Sequence, residues 1–355
     1  MILTSLTLSH FRSYKKRIFS LSSGTTLVVG ENAVGKTNIL ESVMLLATSK
    51  SFRADQDREM IHWGTAMAHI TGHVAPDIRI EAQITHGELG GHTVPKKRLL
   101  VNGVPRRSID FVGNCRAVLF WPQDLELITD SPSIRRKYLD TVLMQIDREY
   151  RRNLVSYERG LRQRNKLLDL IREGTAQRSQ LLFWNQLLIK AGGYITNKRQ
   201  EFIEYLRAFE VSGIRHDIFY DKSIISESRL DQYKEEEVAA KATLVGPHRD
   251  DFIVKKVSEK RSQNADQDWM ELSKYGSRGE QRLAVLWLKL GELSYIEFCV
   301  GSRPMLLLDD IFSELDAKHR AIVFEVTKKQ QTIITSADTG IVNEIGPKNV
   351  SIISL

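Results

Sequence analysis

Hydrophobic and polar positions follow two different periods along this chain. Ile2, Thr4, Leu6 and Leu8 alternate with polar neighbours, the period-two pattern of a half-buried strand. TTLVVG is a short apolar strand ending in glycine, and KRLLVNGVPRRS carries the Asn102-Gly103 pair of a tight hairpin. The first hundred or so residues therefore read mostly as strands, broken by one helix from about Lys36 to Thr48, in which Ile39, Leu40, Val43 and Ala47 share a face.

From Ser133 the period becomes helical. Ile134, Tyr138, Val142, Ile146, Tyr150 and Leu154 recur four apart, and Leu161, Leu168 and Ile171 continue the stripe with Arg and Lys on other faces, which predicts a long amphipathic helical region. A second helical stretch runs from Gln180 to about Phe209, with Gly192-Gly193 as a kink. Residues 222–241 read as a charged helix or loop, and VSEKRSQNADQD, 257–268, as an exposed turn. Leu283, Leu286, Trp287, Leu290 and Leu293 form a further helix face. RPMLLLDD and QTIITSAD are unbroken apolar runs of the kind found in parallel sheets.

Composition adds a location rather than a class. The chain of 355 residues has 42% hydrophobic and 27% charged residues and no run approaching the ~18 apolar residues of a membrane span, so a cytoplasmic protein is expected, without a membrane partner. Cys115 and Cys299 have no metal-ligand spacing and are expected to be buried thiols. Net charge is +7, yet the segment Arg135–Arg207 alone carries sixteen Lys/Arg against eight Asp/Glu. Such a run is either a solvated helical face or a nucleic-acid footprint.

The sharpest chemistry lies in GENAVGKT, which fits G-x-x-x-x-G-K-[ST] after a strand and before a helix. Gly30, Glu31, Asn32, Ala33, Val34 and Gly35 would wrap their backbone round phosphates, Lys36 would neutralise the β and γ oxygens, and the Thr37 hydroxyl would ligate Mg²⁺. MLLLDD has the form of a Walker B strand, with Asp309 placed to hold Mg²⁺ and Asp310 to orient or deprotonate the attacking water. The kinase-like HRD at 248–250 lacks the Asn expected five residues after the Asp, where Lys255 stands. In YGSRGEQR, Ser277 and Glu280 form the S-x-x-E of a capping box, and the same helix start could present N–H groups to an external anion.

The series GENAVGKT, YGSRGEQR, LLLDDIFSELD resembles the phosphate loop, signature, Walker B and D-loop of ABC-type ATPases. Within that superfamily, LTLSHFRSY, FWPQDLELITDSPSIRRKYLD, YERGLRQRNKLL, TLVGPHRDD and LLLDDIFSELD together resemble the RecF family, over about residues 2–338. The resemblance implies an α/β ABC-type ATPase head, with a β-rich ATP-binding lobe from residues 1–124 plus 300–355 and a helical lobe from 125–299. It implies that ATP and Mg²⁺ sit between two subunits packed head to tail, with Ser277 and Gly279 contacting the γ-phosphate in trans and Asp316 at the D-loop position.

Gln123 matches the Q-loop position, near nucleotide and metal, though the family pattern often has Glu there. Arg12 resembles an arginine that reaches the nucleotide. Asp310 replaces the catalytic Glu of most ABC proteins with a side chain one methylene shorter, which suits slow turnover. ITSAD replaces the transporter switch histidine, leaving that contact to Thr335 or Ser336, or to nothing. Family resemblance further implies an ATP-dependent homodimer that binds duplex or gapped DNA in preference to single strands. It also implies partnership with RecR and RecO, through which RecA is loaded at gaps, and a place in the cytoplasm on the nucleoid. Arg148, Arg151, Arg152, Arg159, Arg162 and Arg164 are the expected phosphate contacts. A transporter ATPase would keep the switch histidine, an SMC-like clamp would carry far longer heptad arms, and a nuclease would need a second acidic cluster.

Overall fold

The computed structural model describes residues 2–211, 214, 216–257, 269–338, 340 and 350–355, with the backbone alone at Val257, Ser313 and Glu314. Most of the turn expected at 257–268 thus lies outside the described residues. In chain order the elements are β1 (Ile2–Phe11), β2 (Tyr14–Ser20), β3 (Thr25–Val29), α1 (Lys36–Thr48), β4 (Met67–Ala75), β5 (Ile78–Thr85), β6 (Glu88–Leu89), β7 (His92–Thr93), β8 (Lys97–Val101), β9 (Val104–Arg106), α2 (Ser108–Phe111) and β10 (Ala117–Phe120). There follow α3 (Glu126–Thr129), α4 (Pro132–Ile146), α5 (Arg148–Arg172), α6 (Leu182–Ala208), β11 (His216–Asp221), α7 (Glu227–Gln232), α8 (Lys234–Ala240) and β12 (Asp251–Val257). The chain ends with β13 (Trp269–Glu271), α9 (Leu272–Tyr275), α10 (Arg278–Val300), β14 (Met305–Asp309), α11 (Ala317–Thr327), β15 (Thr332–Ser336) and β16 (Val350–Ser354).

The chain forms two compact units, residues 1–124 with 292–355 and residues 125–291. The first holds two sheets. One has the order β2-β1-β4-β5-β8-β9, with antiparallel neighbours throughout. The other has the order β10-β14-β15-β3-β16 and is wholly parallel. Their residue types explain the difference. β3, β14 and β15 are buried at every position, as strands covered on both faces must be. In β1, Leu6, Leu8 and Phe11 are fully buried while Thr4 and His10 face out.

Helix α1 contacts strands of both sheets, and every residue but Thr37 is buried. The single apolar face expected from the sequence is therefore part of a helix enclosed nearly all round. Asn102 and Gly103 have φ of 51° and 77°, the pair of positive values that a type I′ hairpin turn between β8 and β9 requires.

In the second unit the long helical region is two helices, not one. Asp147 stops α4 and caps α5, its Oδ1 accepting from the N–H groups of Glu149 at 2.8 Å and Tyr150 at 3.0 Å. Helix α6 runs through Gly192-Gly193 rather than breaking there. A Cβ on Gly192 would stand 2.8 Å from Ile225, so the glycine serves close packing instead of a kink. The charged stretch 222–241 forms the short helices α7 and α8, and β11-β12-β13 is a small antiparallel sheet. Cys115 is buried, but Cys299 is exposed, against expectation, because α10 is enclosed along 284–293 and its last turn, with Phe298, emerges from the core. Among the described residues no helix is long and apolar enough to cross a membrane.

Candidate functional site

The phosphate loop joins β3 to α1, and its geometry follows from its glycines. Gly35 caps α1 at φ 110°, and a Cβ there would come within 2.6 Å of Ser13 Oγ and 3.0 Å of the Tyr14 hydroxyl. No side chain fits. The Tyr14 hydroxyl donates to the Gly35 carbonyl at 3.0 Å, and Asn38 donates to Ser13 Oγ at 3.0 Å, so the β1–β2 turn braces the loop from one side. Glu31, Asn32 and Ala33 are exposed, Val34 is half-buried, and Ala33 has φ 68°. Lys36 is buried, and its ammonium donates to the carbonyls of Gly30 and Glu31, each at 2.8 Å.

The acidic strand end meets the loop within the same unit. Thr37 Oγ1 lies 3.0 and 2.9 Å from the two carboxylate oxygens of Asp309, joining residues that are 272 positions apart. Asp309 also accepts a 2.6 Å hydrogen bond from the Thr335 hydroxyl, directly across in the β14–β15 register. A hydroxyl and one carboxylate make an all-oxygen pair, which suits Mg²⁺, a cation that keeps several waters and borrows phosphate oxygens. Two donors leave the remaining positions of such a cation to water and phosphate oxygens. When bound, Mg²⁺ would neutralise phosphate charge, and Thr37 and Asp309 are the residues that would hold it.

Asp310 is exposed and has φ 52°, a left-handed setting in which its N–H donates to the Thr335 carbonyl at 3.2 Å. Partial burial raises its carboxyl above the ordinary carboxylate value; Lys36 works against that rise and Asp309 adds to it. Gln123 is exposed just beyond β10, the strand whose Phe120 pairs with Leu308. Asp316 caps α11, its Oδ1 accepting from the His319 N–H at 3.0 Å and lying 2.7 Å from His319 Nδ1. Thr335 is fully buried on Asp309, and Ser336 Oγ accepts from the Asp338 N–H at 3.0 Å, so both hydroxyls proposed for a switch contact already have internal partners.

Arg12 has partners within its own unit. Its guanidinium forks onto Glu41, at 2.9 Å from Nε and 2.6 Å from Nη2, and reaches the Glu59 carbonyl at 2.8 Å. Glu41 is fully buried on α1 and also accepts from Ser51 at 2.6 Å; a buried carboxylate needs its counter-charge, and Arg12 supplies it.

The signature turn lies in the second unit and is a true capping box. Glu280 Oε2 accepts from the Ser277 N–H at 2.7 Å and Ser277 Oγ accepts from the Glu280 N–H at 3.3 Å. Ser277 and Gly279 are exposed. Among the described residues a Cβ on Gly279 would meet nothing nearer than Ser277 Oγ at 4.0 Å, so packing against them does not require glycine there.

Of the six arginines expected on DNA, Arg148, Arg152, Arg159 and Arg162 are exposed on α5. The other two correct that expectation. Arg164 is 2% exposed and donates to Glu237 at 2.6 Å, Asn185 at 2.7 Å and Thr243 at 2.8 Å; Arg151 is buried and donates to the Met144 carbonyl. Both stand on the inward face of α5 with Tyr150, Leu154, Tyr157 and Leu168. The GPHRDD segment proves structural. Asp250 is fully buried and accepts from the Tyr220 hydroxyl at 2.6 Å, the Ser223 N–H at 2.8 Å and Arg199 at 3.0 Å, while Asp251 receives a fork from Arg135 at 2.6 and 2.9 Å.

Sequence reasoning missed Glu41, Ser13, Tyr14 and the Thr335–Asp309 bond. Nothing local marks them, because each acts across elements whose pairing is visible only after folding.

A family model described as an AAA domain matches residues 5–331. The DNA replication and repair protein RecF of Roseiflexus castenholzii is 33% identical over 383 residues, covering 96% of this chain and 94% of that protein. RecF of Herpetosiphon aurantiacus is 36% identical over 373 residues, covering 95% and 94%. A solved structure of the recombination mediator protein RecF-ATPrS in the RecFOR pathway superposes with a TM-score of 0.85 at 28% identity, over 100% of this chain and 96% of that one. The SmcHead bound to the C-winged helix domain of ScpA gives a TM-score of 0.50 at 16% identity, over 99% and 93%, a likeness of fold alone.

Proposed function

The chain belongs to the RecF family of DNA replication and repair proteins, and on that premise we propose that it is an ATP-driven clamp on DNA that closes by head-to-tail dimerisation. In this reading ATP and Mg²⁺ bind along Gly30–Thr37 and Asp309, and the Ser277–Gly279 turn of a second copy completes the site at the γ-phosphate. The carrying observation is Gly279. Glycine is a weaker helix former than alanine, and no described neighbour asks for it at this position. Close approach of something outside the chain does, and an exposed helix start offers that visitor N–H groups and a partial positive charge.

ATP then contributes to the dimer by mass action, since it binds the closed pair better than the separated chains. Asp310, its carboxyl raised and its backbone held in a left-handed turn, orients the attacking water, and its short side chain gives slow turnover. Asp316 and Gln123 lie on the edges of the composite site. Arg148, Arg152, Arg159 and Arg162 contact phosphates of duplex or gapped DNA without reading sequence. The clamp acts with RecO and RecR to load RecA at gaps, as the RecFOR context of the solved relatives supports. Sedimentation of the wild-type chain with and without ATP, and with duplex, gapped and single-stranded DNA, tests the proposal. A dimer that forms with ATP and is further favoured by duplex or gapped DNA is expected; a monomer under all conditions contradicts it.

A further inference from the structure

The signature turn is held from behind by one ion pair, and we propose that Lys256 is a positioning residue that sets the rotation and height of the helix start carrying Ser277 and Gly279. This rests on the composite-site reading above. Glu280 uses its two oxygens for different tasks: Oε2 takes the Ser277 N–H at 2.7 Å, and Oε1 takes the Lys256 ammonium at 2.7 Å. The first bond completes a capping box and needs no lysine. The second ties that box to β12.

Strand β12 is firmly based. At its start, Asp250 and Asp251 are bound to Arg199, Tyr220, Ser223 and Arg135, and Lys256 stands five residues beyond Asp251, roughly 17 Å along an extended strand. A second contact fixes the same helix further on. His216, opposite Lys256 in the β11–β12 register, packs edge-on against Trp287 of α10 with ring centroids 5.6 Å apart, and Trp287 Nε1 donates to the Phe209 carbonyl at 3.0 Å. These attachments, one at the helix start and one two turns on, add to the buried Gln281, whose amide donates to the Leu272 carbonyl at 3.1 Å, and together they constrain rotation as well as position. Lys255, one residue earlier, points its ammonium over the Phe219 ring at 5.0 Å and takes no part.

The test compares Lys256→Met, Lys256→Arg, Glu280→Gln and, as a control, Lys255→Met, by sedimentation of the ATP-loaded chains. The dimer dissociation constant of Lys256→Met is expected to rise about tenfold, since an ion pair of this exposure is worth roughly threefold and each dimer has two such turns. Lys256→Arg should stay within about twofold of wild type, because it keeps the charge. Lys255→Met should dimerise as wild type does. Glu280→Gln keeps an acceptor for the Ser277 N–H and should weaken the dimer without adding to the effect of Lys256→Met in the double variant. ATP binding at protein concentrations too low for dimers should be unchanged in Lys256→Met. The inference is overturned if Lys256→Met dimerises like wild type, or if the two substitutions add fully. If Ser277→Ala also dimerises normally, the composite site itself fails; if Ser277→Ala fails to dimerise and Lys256→Met does not, only the role of Lys256 falls.

Discussion

The phosphate loop and the Ser277–Gly279 turn are both helix starts, yet the first is bonded to an acidic strand end distant in sequence while the second is capped by Glu280 three residues on, with Ser277 and Gly279 exposed. Lys36, Thr37, Asp309 and Thr335 bond to one another or to the loop, and the pocket they make is braced by Ser13 and Tyr14. Ser277 and Gly279 are capped and tethered from behind, with their outer side exposed. In the proposed reading the first site binds nucleotide alone and the second acts only when a second copy brings its nucleotide to it.

The largest effect should come from the self-sufficient side. Lys36→Ala removes the cation of the phosphate loop and should weaken nucleotide binding by about a hundredfold, in line with the worth of charge-assisted hydrogen bonds. Titration with a fluorescent nucleotide measures it, and binding within a few-fold of wild type would remove the loop from the account.

Next in size is a contrast along α5. Arg164→Met strands the fully buried Glu237 and should cost about 3 kcal/mol of stability in urea unfolding. Arg159→Met, on the outer face of the same helix, should cost less than about 0.5 kcal/mol. Equal costs would refute the division of these arginines into structural and DNA-facing groups.

A smaller effect concerns pH. Burial pushes His248 down to about 4 from its ordinary 6.5, where its ring lies 2.7 Å from the Tyr157 hydroxyl and 2.9 Å from the Thr243 carbonyl. Because the unfolded chain takes up that proton first, stability is complete above about pH 6.5 and falls as pH drops towards 4. His248→Asn should flatten that fall in urea unfolding between pH 7 and 4.5, leaving the part due to His216, which burial also lowers to about 4. An unchanged slope would show that His248 is not the group titrating.

What could be read beforehand divides along the same line. The helix start after GENAVGKT, the buried strand MLLLD, the capping box of YGSRGEQR, the helix at 36–48 and the Asn102-Gly103 turn follow from local chemistry in short runs of residues. Failures came where side-chain partners are distant. The bond of Arg12 to Glu41 is invisible in sequence, and Arg151 and Arg164 look like surface charge until the inward face of α5 is known. Gly192-Gly193 reads as a kink because close packing against Ile225 leaves no trace in sequence. The break at Asp147, which caps α5, is concealed by the four-residue stripe that runs through it on either side.

The central claim is that Ser277 works on a nucleotide held by another copy. Sedimentation velocity of Ser277→Ala with ATP and Mg²⁺, run beside wild type at matched concentrations, tests it most directly. The account predicts a variant that stays monomeric while wild type shifts to dimer. A Ser277→Ala chain that dimerises with ATP as readily as wild type would contradict it.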